Sequence, residues 1–192
     1  MTRPSLNLNL LTEEVLLLRD AGAVKRSHTC RTIKERNVAE HSHGVAMLII
    51  SLYKAAGIRP SGDLLAAALC HDLSEIATGD IPAPVKRYHP GLKEELHKIT
   101  EAWERHMGLL YDLTKDEANL LLWSDRIEFA LFSLEEVKMG NRFFEEYLNR
   151  ILDWISGMPL PLVDGSLDYA LRLYSGVCSA ARYELHTRKE LK

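Results

Sequence analysis

The sequence predicts an all-α protein, and three observations carry that expectation. Apolar residues recur at three- and four-residue spacing through most of the chain, glycine, proline and capping residues punctuate these stretches, and strand-type alternation with β-branched residues is nearly absent. The 192 residues suit a single domain, with no repeat, low-complexity tract or linker long enough to divide them.

The elements follow from the N-terminus. Thr12 is expected to cap a short first helix that stops at Gly22. Asn37 with Glu40 has capping-box spacing, and the helix it opens runs through Val45, Leu48 and Leu52 to a stop at Gly57. The segment from Val45 to Tyr53 is apolar on nearly every side, which implies a central, buried helix. Ser61 or Asp63 opens the next helix, containing Leu64, Ala68 and His71, and Gly79 with Pro82 and Pro84 ends that region. A polar, periodic helix over about 91–107 closes at Gly108. Thr114 with Glu117 repeats the capping box and starts a long helix ending near Gly140. Two further helices, about 142–156 and 166–187, flank the Met158-Pro159-Leu160-Pro161 break.

Composition narrows the functional classes. A formal charge of −3 leaves no extended surface for a nucleic-acid polymer, so phosphate affinity must come from a few placed cations. Glu13, Glu14 and Arg19 interrupt the early apolar run, so no secretory signal is expected there. No stretch approaches the roughly 18 apolar residues of a membrane span. Three scattered cysteines, Cys30, Cys70 and Cys178, fit reduced thiols in a cytoplasm, with Cys70 expected to be a small buried hydrophobe.

Four residues carry chemistry. His41 shares a helical face with Val45, Leu48 and Leu52; His71 follows Leu64 and Ala68, with Asp72 beside it; Asp125 aligns with Ala118, Leu122 and Phe129. Such groups on apolar stripes are costly unless paired or metal-bound. Singly, His41 could be a hydrogen-bonded core histidine, His71-Asp72 a helix-end pair, and Asp125 a partner of Arg126 or Arg142. Together, two imidazoles and two carboxylates from three helices suit a borderline divalent metal. Glu75, expected one turn after His71 on the same face, and Asp80, in the turn after Gly79, exceed what a four-ligand site needs and are free for proton transfer.

These residues resemble a known family. His41, His71-Asp72 and Asp125 match the H…HD…D signature of the HD-domain superfamily of helical metal phosphohydrolases. The segments 37–42, 71–75, 78–86 and 140–143 look like the YfbR-type 5′-deoxynucleotidases, and equally like the phage DatZ-type dATP triphosphohydrolases. The resemblance spans about residues 20–145, the expected metal and catalytic core of the 1–192 domain, with C-terminal helices over about 142–187. It implies His41, His71, Asp72 and Asp125 as ligands of one divalent transition metal ion (Zn²⁺, Co²⁺ or Mn²⁺), with Mg²⁺ on the substrate phosphates. It also implies Glu75 and Asp80 as proton-transfer residues, and Arg26 and Lys86 as cations holding phosphate and sugar. Both subfamilies usually follow that arginine with an aromatic residue; here Ser27 stands in its place, leaving a stacking contact missing or supplied by His28.

The resulting expectation is hydrolysis at the α-phosphorus of a deoxynucleotide. A triphosphate, dATP foremost, is favoured because the chain is short and Arg26-Ser27-His28-Thr29 looks more like the compact phage enzymes; the alternative is a 5′-deoxynucleotidase acting on monophosphates. Guanosine tetraphosphate hydrolases carry HDxxED, and here Ile76 stands where the second acidic residue would be, so that reading is disfavoured. A non-catalytic HD module would have no need of Glu75, Asp80, Arg26 and Lys86. The apolar C-terminal stripe of Leu167, Leu171, Leu173, Tyr174 and Val177, with the resemblance, predicts a homo-oligomer.

Overall fold

The computed structural model describes residues 8–158 and 167–190, and within them the chain is helical with no named strand. The order is α1 (Leu8–Arg19), α2 (Val38–Ala55), α3 (Gly62–Cys70), α4 (Glu75–Thr78), α5 (Ala83–Tyr88), α6 (Pro90–His106), α7 (Lys115–Lys138), α8 (Phe143–Ser156) and α9 (Leu167–Glu190), with a 3-10 turn at Asp20–Gly22. The central part of the Met158–Pro161 break, from Pro159, lies outside the described residues.

Local chemistry sets the principal starts. Asn37 accepts from the Glu40 backbone N–H while Glu40 reaches back to the Asn37 N–H, and Thr114 and Glu117 repeat this reciprocal pair. Ser61, rather than Asp63, caps α3. Gly57, Gly79, Gly108 and Gly140 all have positive φ, which explains why chain direction changes after α2, α4, α6 and α7. Two expectations are corrected here. Thr12 lies inside α1 instead of capping it, because Leu8, Leu10 and Leu11 are good helix formers and carry the helix upstream. The Gly79–Pro84 region is not simply a break, because Pro84 falls in the first turn of α5, where its missing N–H costs nothing.

Helices α2 and α7 form the central pair, with α3, α8 and α9 packed around them. The core unites Val45, Ile49 and Leu52 of α2, Trp123, Ile127 and Ala130 of α7, Phe144 and Leu148 of α8, and Ala170 and Ala181 of α9. The centre of α2 is less uniformly enclosed than its composition implies, since Met47 and Ile50 are exposed. Cys70 is half-buried beside a smaller cluster of Ala21, Val38 and Leu73. In α9, Val177 is buried and Leu173 and Tyr174 pack partly on the core; the side chains of Leu167 and Leu171 lie outside the described residues.

The loop over 23–37 brings its residues to the site through two fastenings. At its base, Lys25 and Asn37 form an antiparallel bridge, and Arg26 N–H donates to the Arg36 carbonyl at 2.9 Å. Further along, the fully buried Glu136 of α7 accepts from the N–H groups of Ile33 and Lys34, each at 2.8 Å, and from Asn141 Nδ2 at 2.6 Å. Asn141 also donates to the Arg31 carbonyl at 2.7 Å. A buried carboxylate ringed by three donors is satisfied without a cation.

Candidate metal and active site

His41 lies in the first turn of α2 and is fully buried. Its Nδ1 is 2.5 Å from Glu128 Oε2, so an Nδ1–H can donate to that carboxylate and direct Nε2 the other way. His71 Nδ1 is 3.0 Å from the Ala68 carbonyl, which accepts its proton and again leaves Nε2 as the outward nitrogen. The two Nε2 atoms face one another at 3.3 Å, and Asp125 Oδ1 lies 3.0 Å from His41 Nε2. Donor atoms of His41, His71 and Asp125 all fall within 4.8 Å of one another.

The fourth expected ligand stands beside this trio. Asp72 Oδ2 is 3.6 Å from His41 Nε2 and 3.4 Å from His71 Nε2, but is also engaged by Arg26. Placement differs from expectation in two respects. His71 is the C-cap of α3, and Asp72 sits in the turn before α4, so Glu75 opens a new helix rather than following His71 along one face. Asp125 does not share a buried stripe with Ala118 and Leu122, which are exposed; the buried apolar stripe of α7 includes Leu120, Trp123, Ile127, Ala130, Leu134 and Val137. Asp125 projects from the flank of that stripe, with Arg126 Nε 3.7 Å from its Oδ2.

The acidic and basic residues beyond the trio also gather here. Glu75 is buried, its Oε2 accepts no hydrogen bond from the described residues, and Arg26 Nη1 stands 3.7 Å from it. Burial, followed by the Asp72 charge, pushes the Glu75 carboxyl up to about 8. For Asp125, burial is outweighed by the His41 hydrogen bond and the His71 charge, so its carboxyl lies well below the ordinary range. Burial of His41 is likewise outweighed, by hydrogen bonds to Asp125 and Glu128, leaving the imidazole raised. Asp80 Oδ2 accepts from the Ser27 backbone N–H at 2.9 Å, and Ser27 adopts φ 53°, the left-handed region. Lys86 lines a small cleft of about 100 Å³ with His71, Asp72, Glu75 and, from α6, Leu96 and Thr100. His28 is exposed.

Three participants escape a reading of the sequence. Glu128 and Arg36 form a salt bridge behind His41, and Glu136 anchors the loop that bears Arg26. The i, i+3 spacing of Asp125 and Glu128 was the one available signal, since both then point to neighbouring sides of α7.

The donor set fits a divalent metal. Both imidazoles have Nδ1 committed to an acceptor, which leaves two Nε2 lone pairs aimed at a common point beside carboxylate oxygens. Likeness to known proteins agrees with this geometry. The model of the family described as 5′-deoxynucleotidase YfbR-like matches residues 15–110. A 5′-deoxynucleotidase of Vibrio atlanticus is 28% identical over 161 residues, covering 73% of this chain and 83% of that protein. One of Shewanella oneidensis is 30% identical over 156 residues, covering 71% and 80%. The crystal structure of an HD-domain phosphohydrolase from Listeria innocua superposes with a TM-score of 0.64 at 26% identity, covering 84% of this chain and 86% of that one. The fold is also shared, with a TM-score of 0.60 at 23% identity and coverage of 88% and 96%, by cyanophage S-2L DatZ, solved with dA and one catalytic Zn²⁺ ion. Fold, site and family match converge: the chain is an HD-domain phosphohydrolase and belongs to the YfbR-like 5′-deoxynucleotidase family.

Proposed function

We propose that the protein is a metal-dependent 5′-deoxynucleotidase that converts deoxynucleoside 5′-monophosphates to deoxynucleoside and phosphate. The observation that carries the reading is the convergence of His41, His71, Asp125 and Asp72 beside Glu75 and Arg26. The choice of monophosphate over the triphosphate expected from the sequence is supported by the relatives named above, which are 5′-deoxynucleotidases.

His41, His71, Asp72 and Asp125 would hold the ion, Zn²⁺ being the one in the DatZ structure and Co²⁺ or Mn²⁺ fitting the same nitrogen–oxygen set. When bound, such an ion lowers the pKa of coordinated water and compensates charge at phosphorus. The remaining work falls to the chain. Arg26, partly buried among Asp72 and Glu75, offers its guanidinium to the phosphate oxygens and leaves Asp72 free to ligate when it does so. Lys86, which lines the cleft beside His71, Asp72 and Glu75, supplies the second cation. Glu75, with a protonated carboxyl favoured by burial, donates to O5′ as the P–O5′ bond breaks, while Asp80, oriented by the Ser27 amide, receives the proton of the attacking water. Ser27 and His28 border the sugar and base side, and a homo-oligomer buries the partly covered α9 stripe. Light scattering across micromolar concentrations tests the last point, a particle of only 21.8 kDa refuting it.

A screen of deoxynucleoside mono-, di- and triphosphates with Co²⁺, Mn²⁺, Zn²⁺ and Mg²⁺ tests the reading. Release of phosphate from monophosphates is expected; release of intact triphosphate from dATP, with monophosphates untouched, would overturn it.

A further inference from the structure

We infer that Glu128 is a positioning residue for His41, and that Gly44 exists in α2 to leave room for it. The inference rests on the metal-site reading above and deepens it. Its starting point is a contact that the four-residue signature does not include. His41 is fully buried and held at Nδ1 by Glu128 Oε2 at 2.5 Å. Glu128 is in turn ion-paired to Arg36, a buried guanidinium whose Cζ lies 4.6 Å over the Phe132 ring and whose Nη2 is 2.9 Å from the same Nδ1. Two elements far apart in sequence thus meet behind one imidazole. The carboxylate fixes the tautomer and the ring plane, so that Nε2 is aimed at His71 and Asp125.

The space for that carboxylate comes from the absence of a side chain at residue 44. A Cβ built on Gly44 would stand 2.8 Å from Glu128 Cγ and 2.9 Å from its Oε1. Cγ is near the root of the side chain, so rotation of the carboxylate alone does not relieve the contact. Glu128 has somewhere to go, because a groove of about 570 Å³ runs between α2 and α7, lined by Gly44, Arg36 and Glu128 themselves together with Met47 and Leu131. A methyl group at residue 44 would push Glu128 into that groove and away from His41. Gly44 shows no positive φ and lies within α2, so its backbone conformation gives no reason for glycine, and alanine there favours the helix.

Gly44→Ala is expected to weaken metal binding at least tenfold, the scale on which supporting partners of ligating histidines act, and to melt below wild type without metal, since Glu128 loosens from Arg36 as well as from His41. Glu128→Ala should weaken binding as much or more, and Glu128→Gln, which keeps shape and one acceptor oxygen, should recover most of the affinity. The double variant Gly44→Ala/Glu128→Ala should bind no more weakly than Glu128→Ala alone, because the glycine acts only through the glutamate. Titrating the full chain with Co²⁺ against a competing chelator, alongside thermal melts without metal, reads all four. If Gly44→Ala binds Co²⁺ as tightly as wild type, or if the two losses add fully, the inference is overturned. Wild-type protein that binds no divalent ion would overturn the metal reading itself, which is a distinguishable result.

Discussion

Replacing Glu136 should cost more than any surface substitution on α7, and the cost can be worked from its hydrogen bonds. The carboxylate is fully buried and accepts from Ile33 N–H, Lys34 N–H and Asn141 Nδ2. Glu136→Ala removes the acceptor of both main-chain donors, while Asn141 keeps the Arg31 carbonyl. At about 2 kcal/mol for each hydrogen bond to a charged group that is lost, the loss is about 4 kcal/mol. For a chain of this size, about 3 °C per kcal/mol places the melting point roughly 12 °C below wild type. Glu136→Gln can retain two of the three bonds through its carbonyl oxygen but turns its NH₂ toward the remaining donor, so it should lie between the two, roughly 6 °C down. Calorimetry measures the shifts, and amide exchange at Ile33 and Lys34 should accelerate in both variants. The reasoning fails if Glu136→Ala melts within about 1 °C of wild type, or if the glutamine variant is the less stable.

Other expectations concern the site, the core and pH. His71→Ala and Asp125→Ala should each lose activity and bound metal, and near-stoichiometric metal in both by elemental analysis would remove them from the ligand set. Glu75→Ala should keep its metal but lose roughly 10²–10⁴ in kcat, the usual worth of a positioned acid or base; unchanged turnover in a metal-replete variant would contradict its role. Phe144→Ala, at a fully buried ring packed edge-on against Phe132, should destabilise by about 3–5 kcal/mol in urea melts. Glu117 is held below the ordinary carboxylate range by hydrogen bonds from Ser61 and Thr114, so its ionised form favours the folded state. That contribution is present above the unfolded pKa of about 4.3 and disappears as pH falls through the lower folded value. The melting difference between wild type and Glu117→Gln should therefore close in acid, and a difference constant from neutral to acidic pH would count against it.

What was legible in the sequence was local. The Asn37/Glu40 and Thr114/Glu117 caps are interactions within four residues, and the structure forms both. His41 and His71 were legible because imidazoles beside apolar positions require an explanation. The buried face of α7 was not, since Ala118, Leu122 and Phe129 are as apolar as Leu120, Trp123 and Ile127, and only packing against α2 and α8 decides between them. The turn at His71–Ser74 was hidden because Leu73, Ser74 and Glu75 continue a helical pattern without a breaker. Glu128 and Glu136 were hidden for another reason: their partners, His41, Ile33 and Lys34, lie 87, 103 and 102 residues away, and nothing in a glutamate marks it as buried.

Helix α7 also works as a ruler. From Glu117 through Asp125 and Glu128 to Glu136, one uninterrupted helix carries a capping residue, a carboxylate of the candidate metal site, the carboxylate beside His41 Nδ1 and the fastening of the 23–37 loop. The interval from Asp125 to Glu136 is about 16 Å at 1.5 Å per residue. Adding one residue between Glu128 and Glu136 would turn the far end by about 100°, moving Glu136 off the Ile33 and Lys34 amides while leaving Asp125 in place. The chain can therefore vary the composition of α7 far more easily than its length, and insertions in this part of the protein are confined to the connections on either side of that helix.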